Sequence, residues 1–298
     1  MHLFRILPVT LVCALFSFAL ENGAVCGQDK AENQPAAKGE IKFVRVSKEA
    51  TSPLALQTAV VKYKSDSKET EGVEVTLIGA VHIAEKSYYE NLNKLFTEYD
   101  ALLYEMVSDP HQGVPAPSER GSSPISSVQV GMKDMLNLTF QLDEVDYKAK
   151  NFVHADMSPE EFFDSMNKRK EGVFKMFLRS VGSGLAMQGA GKSNDLDVLA
   201  AMMSSNRSKG LKRALAEQFE MMDGQMAALQ GEDGRSTLIT ERNAKAFKVL
   251  GQEIKAGKKK IGIFYGAGHL EDMHQRLLDQ YRMEPVETTW MDAWDLKK

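Results

Sequence analysis

The chain has almost no cysteine: two in 298 residues, Cys13 and Cys26, both in the N-terminal leader. Once that leader is removed no disulfide is expected, and packing alone must hold the fold. A basic excess is also missing. Lys and Arg number 37 against 41 Asp and Glu, with net charge −4 and pI about 5.9. This argues against a nucleic-acid partner, because a general nucleic-acid binder presents a clustered basic face. The one dense basic run, "KAGKKK" at Lys255 to Lys260, reads as a solvated helix end whose lysines complement the helix dipole. Long apolar runs are scarce too. Ile6 to Leu20 is too short to span a bilayer comfortably, and behind His2 and Arg5 it reads as a secretory signal peptide, residues 1–27, cleaved near Gly23 to Gln28. No stable transmembrane segment is expected after cleavage, so a secreted or periplasmic location is expected. Val25 is a poor fit to the small residue that a lipoprotein signal wants before its cysteine, which disfavours anchoring through Cys26.

What is present suggests one α/β domain. Residues 28–39, "QDKAENQPAAKG", are small and polar and read as a flexible tether, with the domain covering 40–298. Runs from Ile41 and Thr58 predict an antiparallel edge pair. The apolar run "VEVTLIGAV" and a helix opened by Ser87 with Glu90 as a capping box lead to "ALLYEMV", Ala101 to Val107; this strand, helix, strand order predicts a parallel pair. Residues 108–127 read as a loop, and a helix is expected around Val128 to Leu142. "NFVHADM" reads as a strand. "SPEE", Ser158 to Glu161, predicts a capped helix that turns Phe162, Phe163 and Met166 inward. A methionine-rich helical insert is expected at about 168–234. "ITERNAKAFKVLGQEI" predicts a helix, "KIGIFYGAG" a strand, and Leu270, Met273, Leu277 and Tyr281 one face of a further helix before a last strand around "VETTWMDAW". The expected fold is a mixed, mostly parallel central sheet flanked by helices.

Two apolar strands end in the same letters, "GAVH" and "GAGH". The chain thus reads as two related strand, Gly-x-x-His, helix, strand halves, although two ordinary units of this kind would look the same. Ligands collect at the carboxyl ends of parallel strands, where His82 and His269 fall, and Gly79 and Gly266 are expected to permit a tight turn and close approach to the backbone. Glu105 ends an apolar strand, where a carboxylate is costly to bury unless paired or metal-bound; the alternative is an edge-strand glutamate in water. Two imidazoles and a carboxylate, His82, His269 and Glu105, can hold a divalent metal and leave a position for water, whose pKa the metal lowers. Asn243 falls on the buried face of its helix with Arg242 beside it. Arg242 could pair with Glu105 or stabilise an anionic transition state, or make a surface salt bridge with Glu241 or Glu253. His154 and Asp156 alternate to one side of a strand and suit a structural or substrate-side role. His111 and His274 read as surface residues.

"GAVH", "LLYEM", "ERNAK" and "GAGH", in that order, with "FQLDEVDY" between them, resemble the TraB/PrgY/GumN group and the related Tiki proteases of the erythromycin-esterase/ChaN-like superfamily. The resemblance runs from about Val73 to Trp294. It implies a site at His82, Glu105, Arg242 and His269; with the residues read above, the expectation is a hydrolase of peptidase or esterase type using Mn²⁺, Co²⁺ or Zn²⁺, in which Glu105 ligates or acts as general base and Arg242 stabilises the oxyanion. Its substrate would be a peptide or small molecule. Two departures, the exported context and the helical insert, bear on the substrate. A non-catalytic envelope protein that binds or sequesters a peptide or ligand is the alternative, and the ChaN-like relatives suggest haem or iron binding as a third. The sequence leaves the oligomeric state open.

Overall fold

A computed structural model describes residues 41–65, 67–109, 136–169, 207–223 and 234–297. The expected leader and tether, His111, most of the 108–127 loop and most of the 168–234 insert lie outside the described residues.

The seven-stranded sheet is built around a long second strand. β1 (Val44–Glu49) turns at Ala50, whose φ is 53°, into β2 (Ser52–Lys64). β1 and then β3 (Glu74–Ala80) take one edge of β2, and the last strand takes the other, all antiparallel to it. Beyond β3 the sheet is parallel. After a two-residue strand, β4 (Ile83–Ala84), come β5 (Ala101–Tyr104), the short β6 (Thr139–Phe140) and β7 (Phe152–His154), followed later by β8 (Lys260–Gly266) and β9 (Glu284–Asp295). The order across the parallel part is β3, β8, β5, β7. The sheet is therefore mixed and mostly parallel in its core, as expected. One expectation changes: β3 and β5 run parallel but are not neighbours, because β8 from the C-terminal part of the chain inserts between them.

The period of two along each parallel strand sends alternate side chains to opposite helical layers. Thr76, Ile78, Ala80, Leu102, Tyr104 and Phe264 face α1 (Lys86–Phe96), which packs Tyr88, Tyr89, Leu92 and Phe96 on that side. Val75, Leu77, Leu103, Ile261, Ile263 and Tyr265 face the opposite layer. That layer holds two later helices, described below with their caps. A residue continuing the Ala101, Leu103 parity points to the same layer. Glu105 is that residue.

Several local expectations are refined. α1 starts at Lys86 behind Glu85, not at Ser87. Glu85 is held by its N–H on Ala293 O and by its carboxylate on Lys212 Nζ at 2.6 Å, which fixes the helix entry two residues early. In place of the C-terminal part of a helix reaching Leu142, Asn137 adopts φ 53°, β6 pairs with β4, and only the short α2 (Gln141–Glu144) follows. α3 (Pro159–Lys168) has the predicted box: Ser158 Oγ accepts from Glu161 N, and Glu161 accepts from Ser158 N. It buries Phe162 and Met166, but Phe163 is 44% exposed because it falls on the outer side of the turn. Within the expected insert, α4 (Arg207–Asp223) is described and forms a packing layer. Its Arg213 donates to Leu296 O, Lys212 reaches Glu85, and Phe219 meets Trp294 edge-on.

α5 (Arg242–Lys255) and α6 (Leu270–Tyr281) form the second layer, with Ala246, Phe247, Leu250, Leu270, Met273 and Leu277 buried under them. The lysine run after α5 turns at Gly257, φ 87°, and the Lys259 and Lys260 N–H groups both donate to Asp100, whose carboxyl they hold below its ordinary range. His274 is not a surface residue. It lies buried on the inner face of α6 with Nδ1 2.9 Å from Tyr63 OH, and burial pushes its pKa down, against a smaller upward pull from Glu284.

Candidate functional site

The carboxyl ends of β3, β8 and β5 meet at one edge of the sheet, and the first residues of α5 and α6 arrive over that edge. A π-helical turn, Thr237–Glu241, capped by Ser236 Oγ on Ile239 N, delivers the chain into α5. Such turns concentrate at functional sites because they shift side chains out of the regular helical sequence. Here the turn sets Arg242 and Asn243 at the head of α5, both buried. A 3₁₀ turn, Ala267–His269, does the same for His269 at the head of α6.

Arg242 is the centre of the cluster. Its Nε donates to Asp156 Oδ1 at 3.0 Å, and its Nη2 donates to Asp156 Oδ2 and to Glu105 Oε1, each at 2.6 Å. Nη1 lies 3.4 Å from Leu238 O and 3.3 Å from His269 Nε2. The Arg242 and Asp156 side chains are 4% and 0% exposed, and that of Glu105 11%. Glu105 Oε2 accepts from Gly266 N at 2.6 Å. Burial alone would raise the Glu105 carboxyl pKa, but the Arg242 charge, with smaller pulls from His269 and His82 when those rings are protonated, holds it well below the usual carboxylate range. The guanidinium is likewise held well above its ordinary value, because Asp156 and Glu105 outweigh the cost of burying it. Burial pushes the Tyr265 phenol far up, so it stays a neutral donor, on Ala155 O at 2.7 Å, and its ring meets His269 edge-on.

The hydrogen bonds of His269 select one tautomer for its neutral ring. Its Nδ1 is 2.7 Å from Asn243 Oδ1, while Asn243 Nδ2 donates to His269 O and to Asp272 Oδ2. An amide oxygen only accepts, so Nδ1 carries the proton. Nε2 then presents its lone pair toward Glu105 Oε1, 3.5 Å away.

The structure thus brings together Glu105, Arg242, Asn243, Gly266 and His269. His82 lies two residues beyond β3 and is exposed; its backbone carbonyl accepts from Gln141 N. His154 stands apart, with Nε2 2.7 Å from Met106 O, and tethers the segment that follows β5. Neither glycine of the two motifs has the left-handed backbone expected of a tight turn. Gly79 lies within β3, where an added Cβ would meet Ala59 O and Leu270 Cδ1, each at 3.2 Å. At Gly266 the Cβ would meet Glu105 Oε2 at 3.2 Å, so the missing side chain is what lets the carboxylate reach the backbone N–H. Asp156, expected in a structural or substrate-side role, is the principal partner of Arg242. Asp272 was not singled out at all; its place three residues after His269, in the first turn of a helix, is the signal that could have found it.

With both histidine rings neutral, two buried carboxylates against one guanidinium leave one negative charge in the cluster, since Asp272 is matched by Arg276 at 2.6 Å. That charge and the outward lone pair of His269 Nε2 fit a divalent cation in donor type. Convergence is partial: among the described residues no group of three or more His, Cys, Asp or Glu side chains gathers as a metal centre. Two donors, Glu105 and His269, meet, and a third would have to come from His82.

No helix among the described residues is long and apolar enough to cross a membrane. No family model, curated protein or solved structure matches the chain.

Proposed function

We propose that the chain is an exported metal-dependent hydrolase, of the type suggested by its resemblance to the TraB and Tiki proteins, that cleaves an amide or ester of a peptide or small molecule. The observation that carries this reading is the approach of an ionised, pinned Glu105 to Nε2 of His269, 3.5 Å away, with the guanidinium of Arg242 beside both. His269, Glu105 and His82 would hold Mn²⁺, Co²⁺ or Zn²⁺. When bound, the ion supplies a lowered pKa for a water and polarisation of the scissile carbonyl. Glu105, kept well below the ordinary carboxylate range, is a weak base and suits an anionic ligand. Arg242 has Nε and Nη2 committed to the two carboxylates and Nη1 turned to Leu238 O and His269. We therefore assign it to holding Glu105 and Asp156 in place, rather than to an oxyanion.

One observation favours the second reading, a non-catalytic envelope protein that binds a peptide or small ligand. Each polar atom of the Glu105 and His269 side chains already has a protein partner. The two readings separate in an assay of peptide and ester hydrolysis by the mature chain supplied with each ion, with Glu105→Gln alongside. Turnover in the wild type that is lost in Glu105→Gln supports the hydrolase. Ligand affinity that survives Glu105→Gln, with no wild-type turnover, supports the binding protein.

A further inference from the structure

We propose that Asp272, held by Arg276, is a positioning residue that acts through Asn243 to decide which nitrogen of His269 carries the proton. Asn243 is fully buried, so its amide must be satisfied by protein. Its Nδ2 has two hydrogens and meets two groups that only accept, His269 O at 3.0 Å and Asp272 Oδ2 at 2.8 Å. That fixes the amide with Oδ1 toward His269 Nδ1 at 2.7 Å. In the flipped amide Oδ1 would face a carbonyl and a carboxylate with no proton among them.

Asp272 is itself tied down. Arg276 Nε donates to its Oδ2 at 2.6 Å, and Arg276 Nη2 donates to Thr240 O at 3.0 Å, linking α6 to the turn that precedes α5. The order of control therefore runs from Arg276 to Asp272, then to the Asn243 amide, then to His269 Nδ1–H. Its consequence is an Nε2 lone pair on the side of Glu105, 3.3 Å from the donor Arg242 Nη1. Asp272 touches neither Glu105 nor Arg242 in this arrangement and influences the site through the ring alone. An outer partner that fixes the tautomer of a functional histidine is a recurrent need of such sites.

This inference deepens the reading of the His269 site, but the tautomer can be read with neither substrate nor ion, so its failure and that of the hydrolase reading are separate results. The experiment is long-range ¹H–¹⁵N NMR of the full-length mature chain labelled at histidine, chelator-treated, at alkaline pH where the ring is neutral, with His269→Gln supplying the assignment. The wild type is expected in the Nδ1–H form. Asp272→Ala, checked for folding by circular dichroism, is expected to shift the ratio toward Nε2–H roughly tenfold or more, the scale of losing one charge-assisted hydrogen bond. Asp272→Asn keeps an acceptor for Asn243 and Arg276 and is expected to retain the wild-type ratio. A wild-type ring in the Nε2–H form overturns the proposal without any variant, and so does an unchanged ratio in folded Asp272→Ala.

Discussion

Arg242 and Glu105 lie 137 residues apart in the chain and meet at 2.6 Å, with Asp156 closing the other side of the same guanidinium. Three elements, β5, the segment after β7 and α5, are thus joined by one cation at the carboxyl edge of the sheet. The arrangement ties the site to the stability of the fold, because removing Arg242 would leave two buried carboxylates without their counter-charge.

Arg242→Met is accordingly expected to destabilise the protein by about 3–5 kcal/mol, the scale for breaking a buried pair by removing one partner. Urea unfolding of the variant checks this. A loss within a few tenths of a kcal/mol would show that the carboxylates reach water without Arg242.

His274 gives the expected pH dependence. Burial lowers its pKa in the fold, so the unfolded chain binds the proton more readily and stability rises with pH. The contribution is complete above about pH 6.5, the ordinary histidine value. It is lost as the pH falls from there toward the folded-state value, with a slope of at most about 1.4 kcal/mol per pH unit. Unfolding free energy measured against pH should show this slope in the wild type and a flatter profile in His274→Gln.

Gly266→Ala tests the close approach of Glu105. The backbone at this position, φ −50° and ψ 135°, accepts any residue, so the substitution adds only a methyl group 3.2 Å from Glu105 Oε2. A cost of about 1–3 kcal/mol is expected, as for other overpacked sites, together with a displaced carboxylate. Wild-type stability and ion retention in this variant would show that the 2.6 Å bond from Gly266 N is dispensable.

Much of this edge was legible from local pattern. Glu105 stood out because a carboxylate ended an apolar strand, and Asn243 because helical periodicity placed it on a buried face, beside Arg242. Both motif histidines stood out because each followed a strand. What escaped was non-local. Nothing near Asp156 shows that its partner is 86 residues away, and the unit from β3 through α1 to β5 carries no sign that β8 will insert between its strands. His274 was a different kind of miss. Leu270, His274 and Leu277 share one helical face, so the period itself places His274 inside, where Tyr63 satisfies its ring nitrogen. Ser87 and Glu90 spell a capping box that the chain does not use, because Glu85 is fixed by Ala293 O and Lys212 before the helix begins.

The central claim is that Glu105, His269 and His82 form one cation site. Its most direct test is the metal content of the mature chain by mass spectrometry, purified without chelator and supplied with Mn²⁺, Co²⁺ and Zn²⁺ in turn, for the wild type beside His82→Ala and His269→Ala. The account predicts one equivalent of ion in the wild type and its loss in both variants. A wild type with no bound ion, or an ion retained in both variants, would contradict it.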